Sequence, residues 1–390
     1  MTSCENQMIS EQKEINLPEG VPPLFFFFLY LTSGCNLRCK HCWIDPSYAS
    51  DNQVHGAYIP LNLLKKAVQE AKELGLCGAK LTGGEPMLHP QFQDVVSYLH
   101  SEGLRLSMET NGTLITPELA QFMKEGDKVD FITISLDSPV PDIHDQFRGK
   151  KGAFQKALDG LDALVEAGYT NCQVIMAVHK NNRDQMADLV KLATEHGAAS
   201  VKFNPFIKSG RGIQMNERGE TLNLTDILEL SEYISKTLRP SSTISLIFLT
   251  PLALTSLSDL RVRKGYVGDC GVLNVLGILG TGEIALCGIG QTIPELVYGK
   301  LGIDSIKDIW MNNPIIQTLR KDLENVYEYP GICGSCIHAK QCRTGCVAHN
   351  YLENGILVSP QWECREAENM GIFPKTRLRS FPSTNLKNPS

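Results

Sequence analysis

Ser33-Gly34-Cys35-Asn36-Leu37-Arg38-Cys39-Lys40-His41-Cys42-Trp43 places three thiols at C-x3-C-x2-C spacing directly behind an apolar run, Leu24–Leu31 (LFFFFLYL). The run reads as a buried strand. A membrane span needs about 18 or more apolar residues, and Pro22-Pro23 and Thr32-Ser33 close this one off much sooner. The cysteines therefore stand on a loop at a strand's carboxyl end. Three thiolates this close can hold three corners of a 4Fe–4S cubane, which normally takes four cysteines, so that one iron stays open. A structural zinc completed by His41 or His55 is the other reading, although zinc knots usually pair two-residue spacings across a longer loop.

Outward from this loop, short apolar runs alternate with helical patterns. Strands are expected at Leu24–Leu31, Cys77–Thr82, Leu104–Glu109, Phe131–Leu136, Gln173–Val178 and Val201–Phe206. Helices are expected at Leu61–Leu74, Phe92–Ser101, Ala153–Ala167, Gln185–His196 and Thr225–Leu238. Leu63, Leu64, Ala67, Val68, Ala71 and Leu74 form one apolar stripe, and Thr116-Pro117-Glu118 reads as an N-cap, Pro at N1 and a first-turn acid. Six such β-α units imply an α/β fold with a parallel sheet, either a partial barrel or an open doubly wound sheet. In both, functional loops gather at the strands' carboxyl ends. The pattern predicts a polar segment at 1–23, the β-α domain at 24–239, a bridge at 240–269 holding the apolar stretch Ile244–Leu249, a Cys- and Gly-rich domain at 270–373 and a loose basic tail at 374–390. One helix is expected over Ile306–Leu323.

The 390 residues are 42% hydrophobic and 21% charged, enough apolar content for a sizeable core and against wholesale disorder. A net charge of -6 argues against a nucleic-acid partner, which calls for a basic face. Thirteen cysteines are an odd number, so complete disulfide pairing is excluded. Residues 1–20 lack a basic n-region and a small-residue cleavage site, so a cytoplasmic protein without a membrane role is expected.

The second expected strand ends in Thr82-Gly83-Gly84-Glu85-Pro86. Paired glycines let the backbone approach a ligand, and a glutamate can accept from an ammonium group. With C-x3-C-x2-C in front of it, this motif resembles the radical S-adenosylmethionine (SAM) superfamily over roughly residues 24–239. The resemblance implies a partial (β/α)6 TIM-like barrel in which Cys35, Cys39 and Cys42 ligate a 4Fe–4S cluster, with SAM on the open iron. Gly83, Gly84 and Glu85 would hold its amine, and His41 would lie near the adenine. Ser135, in Ile134-Ser135-Leu136-Asp137, would contact ribose or carboxylate; Arg148 and Asn111 are further cofactor candidates. An Asn-Gly turn or a helix cap explains Asn111, Asp137 and Asp145 without a ligand, and Gly210-Arg211-Gly212 suits either a carboxylate or a plain loop.

Downstream, Cys270-x11-Gly282-x4-Cys287 precedes Cys333-x2-Cys336-x5-Cys342-x3-Cys346-x17-Cys364. Zinc sites would account for seven such cysteines by themselves. Their complete order resembles the SPASM extension of radical SAM enzymes, which implies two auxiliary iron–sulfur clusters. One would be held by Cys333, Cys336, Cys342 and Cys364, the other by Cys270, Cys287 and Cys346. Some relatives have an eighth cysteine ahead of the first; residues 261–268 offer none, which implies an open or non-cysteine site on the second cluster that Asp269, water or substrate could fill. Cys4, Cys77 and Cys172 have no motif and read as terminal or core thiols.

The resemblance implies an enzyme that generates a 5′-deoxyadenosyl radical to modify a ribosomally synthesised precursor peptide by cross-linking, thioether formation or backbone excision. A flavodoxin- or ferredoxin-type reductant would supply electrons. About 24 residues precede the first strand, which favours a separate leader-peptide-binding protein over a built-in module. Sulfatase maturation and tetrapyrrole or quinone cofactor biosynthesis are the enzymatic alternatives. A non-catalytic iron–sulfur electron carrier is the alternative of another class, against which Gly83-Gly84-Glu85-Pro86 speaks.

Overall fold

The computed structural model describes residues 15–48, 56–206, 208–262 and 271–379. Six strands form as expected: β1 (Phe26–Tyr30), β2 (Gly78–Thr82), β3 (Arg105–Thr110), β4 (Phe131–Ser135), β5 (Gln173–Val178) and β6 (Ser200–Pro205). They pair in chain order, every neighbour parallel. Parallel neighbours need long crossovers, and the helices supply them. In α1 (Leu61–Glu73), Leu64, Ala67, Val68 and Ala71 are the buried residues, so its apolar stripe is its core face. In α2 (Phe92–Ser101), Phe92, Val95, Val96 and Leu99 do the same. The start of α3 (Pro117–Lys124) is fixed by Thr116, whose hydroxyl accepts from Leu119 N–H at 3.2 Å. Two further helices matter below, α4 (Pro141–Arg148) and α5 (Ala153–Glu166).

Four more strands extend the sheet: β7 (Ser245–Phe248), β8 (Val275–Ile278), β9 (Glu283–Ala285) and β10 (Val297–Lys300), giving the order β10-β9-β8-β1-β2-β3-β4-β5-β6-β7. This corrects the expected boundaries. The apolar stretch in the 240–269 bridge is a sheet strand, parallel to β6, and the expected 270–373 domain opens with β8, parallel to β1. Backbone groups in a buried sheet must be paired, and these strands satisfy both flanks of the six. The compact units accordingly run across positions 240 and 270: one comprises Met1–Asn223, Glu232–Leu249 and Gly271–Gln317, the other Leu224–Ser231, Thr250–Cys270 and Thr318–Ser390. β1, with strands on both sides, is apolar almost throughout, as a central parallel strand is.

The single helix expected over Ile306–Leu323 is two, Ile306–Asn312 and Pro314–Glu324. Pro314 has no N–H to continue the first helix and opens the second. The Asn313 side chain caps the junction, accepting from Ile315 and Ile316 N–H at 3.0 and 3.2 Å. Within the second unit, Leu224, Ala253, Cys336, Cys364, Ala367 and Phe373 form a small apolar core. Among the described residues, no helix is long and apolar enough to cross a membrane.

Candidate active site

Thr82, Glu109, Thr110, Ser135, Ala177, Asn204 and Pro205, at or near the carboxyl ends of β2 to β6, line one cavity of ≈ 260 Å³ together with Cys35, Cys39 and Cys42 from the loop after β1. The ends of five strands and the loop after the first meet there, so the sheet curls into a partial barrel around the cavity. The volume is near the lower end of small-molecule sites, about 300–1,000 Å³.

The glycine motif is stitched to the cysteine loop. Gly84 N–H donates to Thr32 O, and Glu85 N–H to Gly34 O, both at 2.9 Å. Gly83 and Gly84 line the cavity, and a Cβ on Gly84 would lie 1.9 Å from Gly34 O, next to Cys35. Only glycine fits at position 84. Glu85 departs from the expected contact with a ligand's amine: it is not among the residues lining the cavity, and its side chain is fully buried. Its carboxylate accepts from Thr110 Oγ1 at 2.8 Å, Asn111 N–H at 2.9 Å and Met87 N–H at 3.4 Å. Burial pushes its pKa up to about 7 against those hydrogen bonds. The carboxylate braces the motif against the end of β3, while the two glycines face the cavity.

Cys35 and Cys39 are buried thiols, pushed above the ordinary thiol range by burial. Metal ions deprotonate such thiols on binding, which releases protons. Arg148, the last residue of α4, is buried beside them. Its Nε donates to Asp137 Oδ2 at 2.5 Å and its Nη1 to Cys39 Sγ at 3.6 Å. Burial pushes the Asp137 pKa up, but its surroundings, the Arg148 charge foremost, outweigh it and bring it below the usual carboxylate range. Asp137 Oδ1 accepts from Ala177 N–H at 2.9 Å, so one ion pair links β4, β5 and a thiol. That pairing was not legible in the sequence, where the two residues lie eleven apart.

His41 lines the cavity and stacks on Phe147, 4.7 Å between centroids, and Phe147 stacks in turn on His179 at 4.9 Å. Burial pushes the His41 pKa down to about 3, so the ring is neutral. Its Nδ1 is buried and has no hydrogen-bond partner among the described residues. Ser135 lines the cavity. Asn111 also lines it, but its amide is engaged elsewhere, donating to Asn36 Oδ1 at 2.9 Å and accepting from Thr113 N–H at 2.9 Å. Asn36, between the first two cysteines, donates to Thr113 Oγ1 at 2.9 Å and so ties the cysteine loop to the β3 turn. Sequence reasoning passed over it; a short amide inside a cysteine motif was its one signal.

In the second unit, Cys333, Cys336, Cys342 and Cys364 border a single narrow cavity of ≈ 20 Å³. Gln361 Nε2 donates to Cys342 Sγ at 3.3 Å, and His338 N–H to Cys336 Sγ at 3.4 Å. Cys346 lies outside this cavity, at the head of the helix Val347–Asn354. Cys287 belongs to the first unit; Cys270, like Cys4, His55, Lys264, Tyr266 and Asp269, lies outside the described residues. Cys77 and Cys172 are buried in the first unit, Cys77 donating to Phe25 O at 3.4 Å. Among the described residues, no three His, Cys, Asp or Glu side chains converge as a single ion requires, so the thiols border shared cavities without meeting at one point.

The family model described as the Radical SAM superfamily matches residues 29–193, the stretch that contains the three cysteines, both glycines and Ser135. The chain carries a radical SAM domain. It is 27% identical over 345 residues to the AdoMet-dependent heme synthase of Methanosarcina barkeri (strain Fusaro / DSM 804), covering 86% of this chain and 94% of that protein. It is also 27% identical over 358 residues to the mycofactocin maturase MftC of Mycolicibacterium smegmatis (strain ATCC 700084 / mc(2)155), covering 90% and 86%. Streptococcus suis SuiB shares the fold. Its crystal structure bound to S-adenosylmethionine superposes with a TM-score of 0.67 at 17% identity, covering 92% of this chain and 81% of that one. Its structure bound to precursor peptide SuiA gives 0.65 at 15% identity, covering 93% and 79%.

The radical SAM domain's residues fit its cofactors. Three thiols without a fourth suit a cluster with one open iron. Two glycines and a neutral ring line the space beside them.

Proposed function

We propose that this enzyme uses S-adenosylmethionine and iron–sulfur clusters to modify a ribosomally synthesised precursor peptide. The observation that carries the reading is that Cys35, Cys39 and Cys42 line the same cavity as Gly83, Gly84, His41 and Ser135. Likeness to the maturase MftC over nine-tenths of the chain supports the substrate class.

The cluster and S-adenosylmethionine supply, when bound, an electron and an organic radical that takes hydrogen from unactivated carbon. The chain's own residues position them. Cys35, Cys39 and Cys42 hold the cluster, and Arg148 sets a positive charge beside Cys39. The backbone at Gly83 and Gly84 receives the amine, and Glu85 keeps that backbone in place. Ser135 faces ribose or carboxylate, and the His41–Phe147 stack forms an apolar wall on which adenine rests. Cys333, Cys336, Cys342 and Cys364 hold one auxiliary cluster. Electrons come from a flavodoxin- or ferredoxin-type protein in the cytoplasm, and a separate protein presents the leader peptide.

A second reading has its own support: likeness to the heme synthase over 86% of the chain favours a tetrapyrrole substrate. Anaerobic co-expression with small peptides encoded beside the gene, followed by mass spectrometry, separates the two. The expected result is a peptide mass change that disappears in a Cys35→Ala, Cys39→Ala, Cys42→Ala variant. Unchanged peptides together with an altered tetrapyrrole would replace the first reading by the second.

A further inference from the structure

Arg211 lines two cavities of the first unit. One is the thiol cavity; the other, ≈ 540 Å³, is bordered by Arg38, Lys40, Gln146, Asn181 and Arg218 among others. Its backbone is fixed to the cysteine loop, since Arg211 N–H donates to Cys42 O at 2.9 Å. Gly210, at φ +53°, lies so close that a Cβ would be 2.6 Å from the same carbonyl. The main chain at Arg211 is therefore held against the main chain of Cys42.

A guanidinium keeps its charge at any working pH and presents its donors as a planar fork. One end of this fork is engaged: Nη1 lies 3.1 Å from Asp45 Oδ1. The other edge, Nε with Nη2, is shielded from solvent and finds no acceptor among the described residues. That edge is the one that takes both oxygens of a carboxylate in parallel hydrogen bonds. The second cavity adds a matching field, with Arg38, Lys40, Arg211 and Arg218 against Asp137 and Glu220. Both carboxylates are already paired, Asp137 with Arg148 and Glu220 with Arg218, which leaves Arg38 and Lys40 as the surplus beside Arg211. A cleft with surplus positive charge and low-dielectric walls draws anions inward.

We infer that Arg211 is the specificity-determining anchor for a carboxylate of the substrate, which enters through the second cavity and is held by the Nε–Nη2 edge at the border of the thiol cavity. Because this rests on the peptide reading above, the substrate class is a peptide carrying a carboxylate at or beside the reacting residue.

The test measures binding to the anaerobically reconstituted, S-adenosylmethionine-saturated protein. The probes are a capped tetrapeptide with one glutamate, its glutamine counterpart, an acetylated tetraglycine with a free carboxyl terminus, its amide, and succinate. A hydrogen-bonded charge contributes about 1.5–3 kcal/mol, so one acid peptide is expected to bind roughly 10- to 150-fold tighter than its neutral counterpart. Which acid peptide does so distinguishes a side-chain carboxylate from a chain terminus. R211Q is expected to erase the difference, and R211K, which keeps the charge without the fork, to retain part of it. Succinate binding that depends on Arg211, with no peptide bound, would keep the fork and overturn the peptide reading. Equal binding of acid and neutral peptides by the unmodified protein would overturn the anchor and leave the peptide reading standing. A loss of affinity for S-adenosylmethionine instead of peptide would overturn the anchor too, by showing that the fork holds the methionyl carboxylate. Binding of none of the probes overturns it outright.

Discussion

Gly84→Ala is expected to disable the cluster loop and to unfold more readily than any other single glycine-to-alanine change in the first unit. The added Cβ would lie 1.9 Å from Gly34 O and 2.5 Å from Gly34 C, atoms of a backbone that no rotamer change can move aside. Relief requires Gly34 to shift, and Gly34 accepts the Glu85 N–H bond and immediately precedes Cys35. Overpacking of a rigid site costs about 1–3 kcal/mol or more, and a lost buried backbone hydrogen bond adds about 1–3 kcal/mol. Gly282→Ala supplies the contrast. Gly282 has φ +86° with open space around it, so the change costs about 1–2 kcal/mol of backbone strain alone. Denaturant unfolding of both variants, with iron content and S-adenosylmethionine affinity after reconstitution, checks this. G84A should lose on all three measures and G282A on stability only.

Arg148→Met is expected to cost about 3–5 kcal/mol in the metal-free protein, because it leaves Asp137 buried with its charge uncompensated. Asp137 is 1% exposed and Arg148 7%, so water does not replace the lost partner. Removing both charges in Asp137→Asn, Arg148→Met should recover much of the loss, since the penalty belongs to the orphaned charge and not to the missing pair. In the reconstituted protein the single change should also lower the reduction potential of the cluster held by Cys39. A positive charge and an N–H donor near the sulfur favour the more negative, reduced state, and R148M removes both. Thermal unfolding of the two variants and a potentiometric titration read these effects separately.

Much of the barrel was legible in the sequence because β-branched and apolar runs alternated with amphipathic helices. Gln173–Val178 and Phe92–Ser101 have the expected bounds. β8 was not legible: Val275–Ile278 is four residues long, and its partner, β1, lies about 250 positions away, beyond what any local period encodes. The break at Pro314 followed from its missing N–H, but the apolar spacing on either side hid it.

The candidate site divides the same way. The motif spacings pointed to Cys35, Cys39, Cys42, Gly83 and Gly84, and these border one cavity. Spacing says nothing about where a side chain points. Glu85 turns inward to Thr110 and Asn111, and the amide of Asn111 serves the loop through Asn36. Nor does spacing show that Arg148 spans Asp137 and Cys39, because that contact exists only once α4 has packed against the cysteine loop.

The central claim is that the thiols after β1 and the cavity beside them act together on S-adenosylmethionine. Its most direct test is the amount of 5′-deoxyadenosine released by the anaerobically reconstituted, chemically reduced protein. Release that is abolished in the Cys35→Ala, Cys39→Ala, Cys42→Ala variant, while the iron bound through the second cysteine group remains, is the result predicted. Zinc in place of iron at these thiols, or equal release from the unmodified protein and the variant, would contradict it.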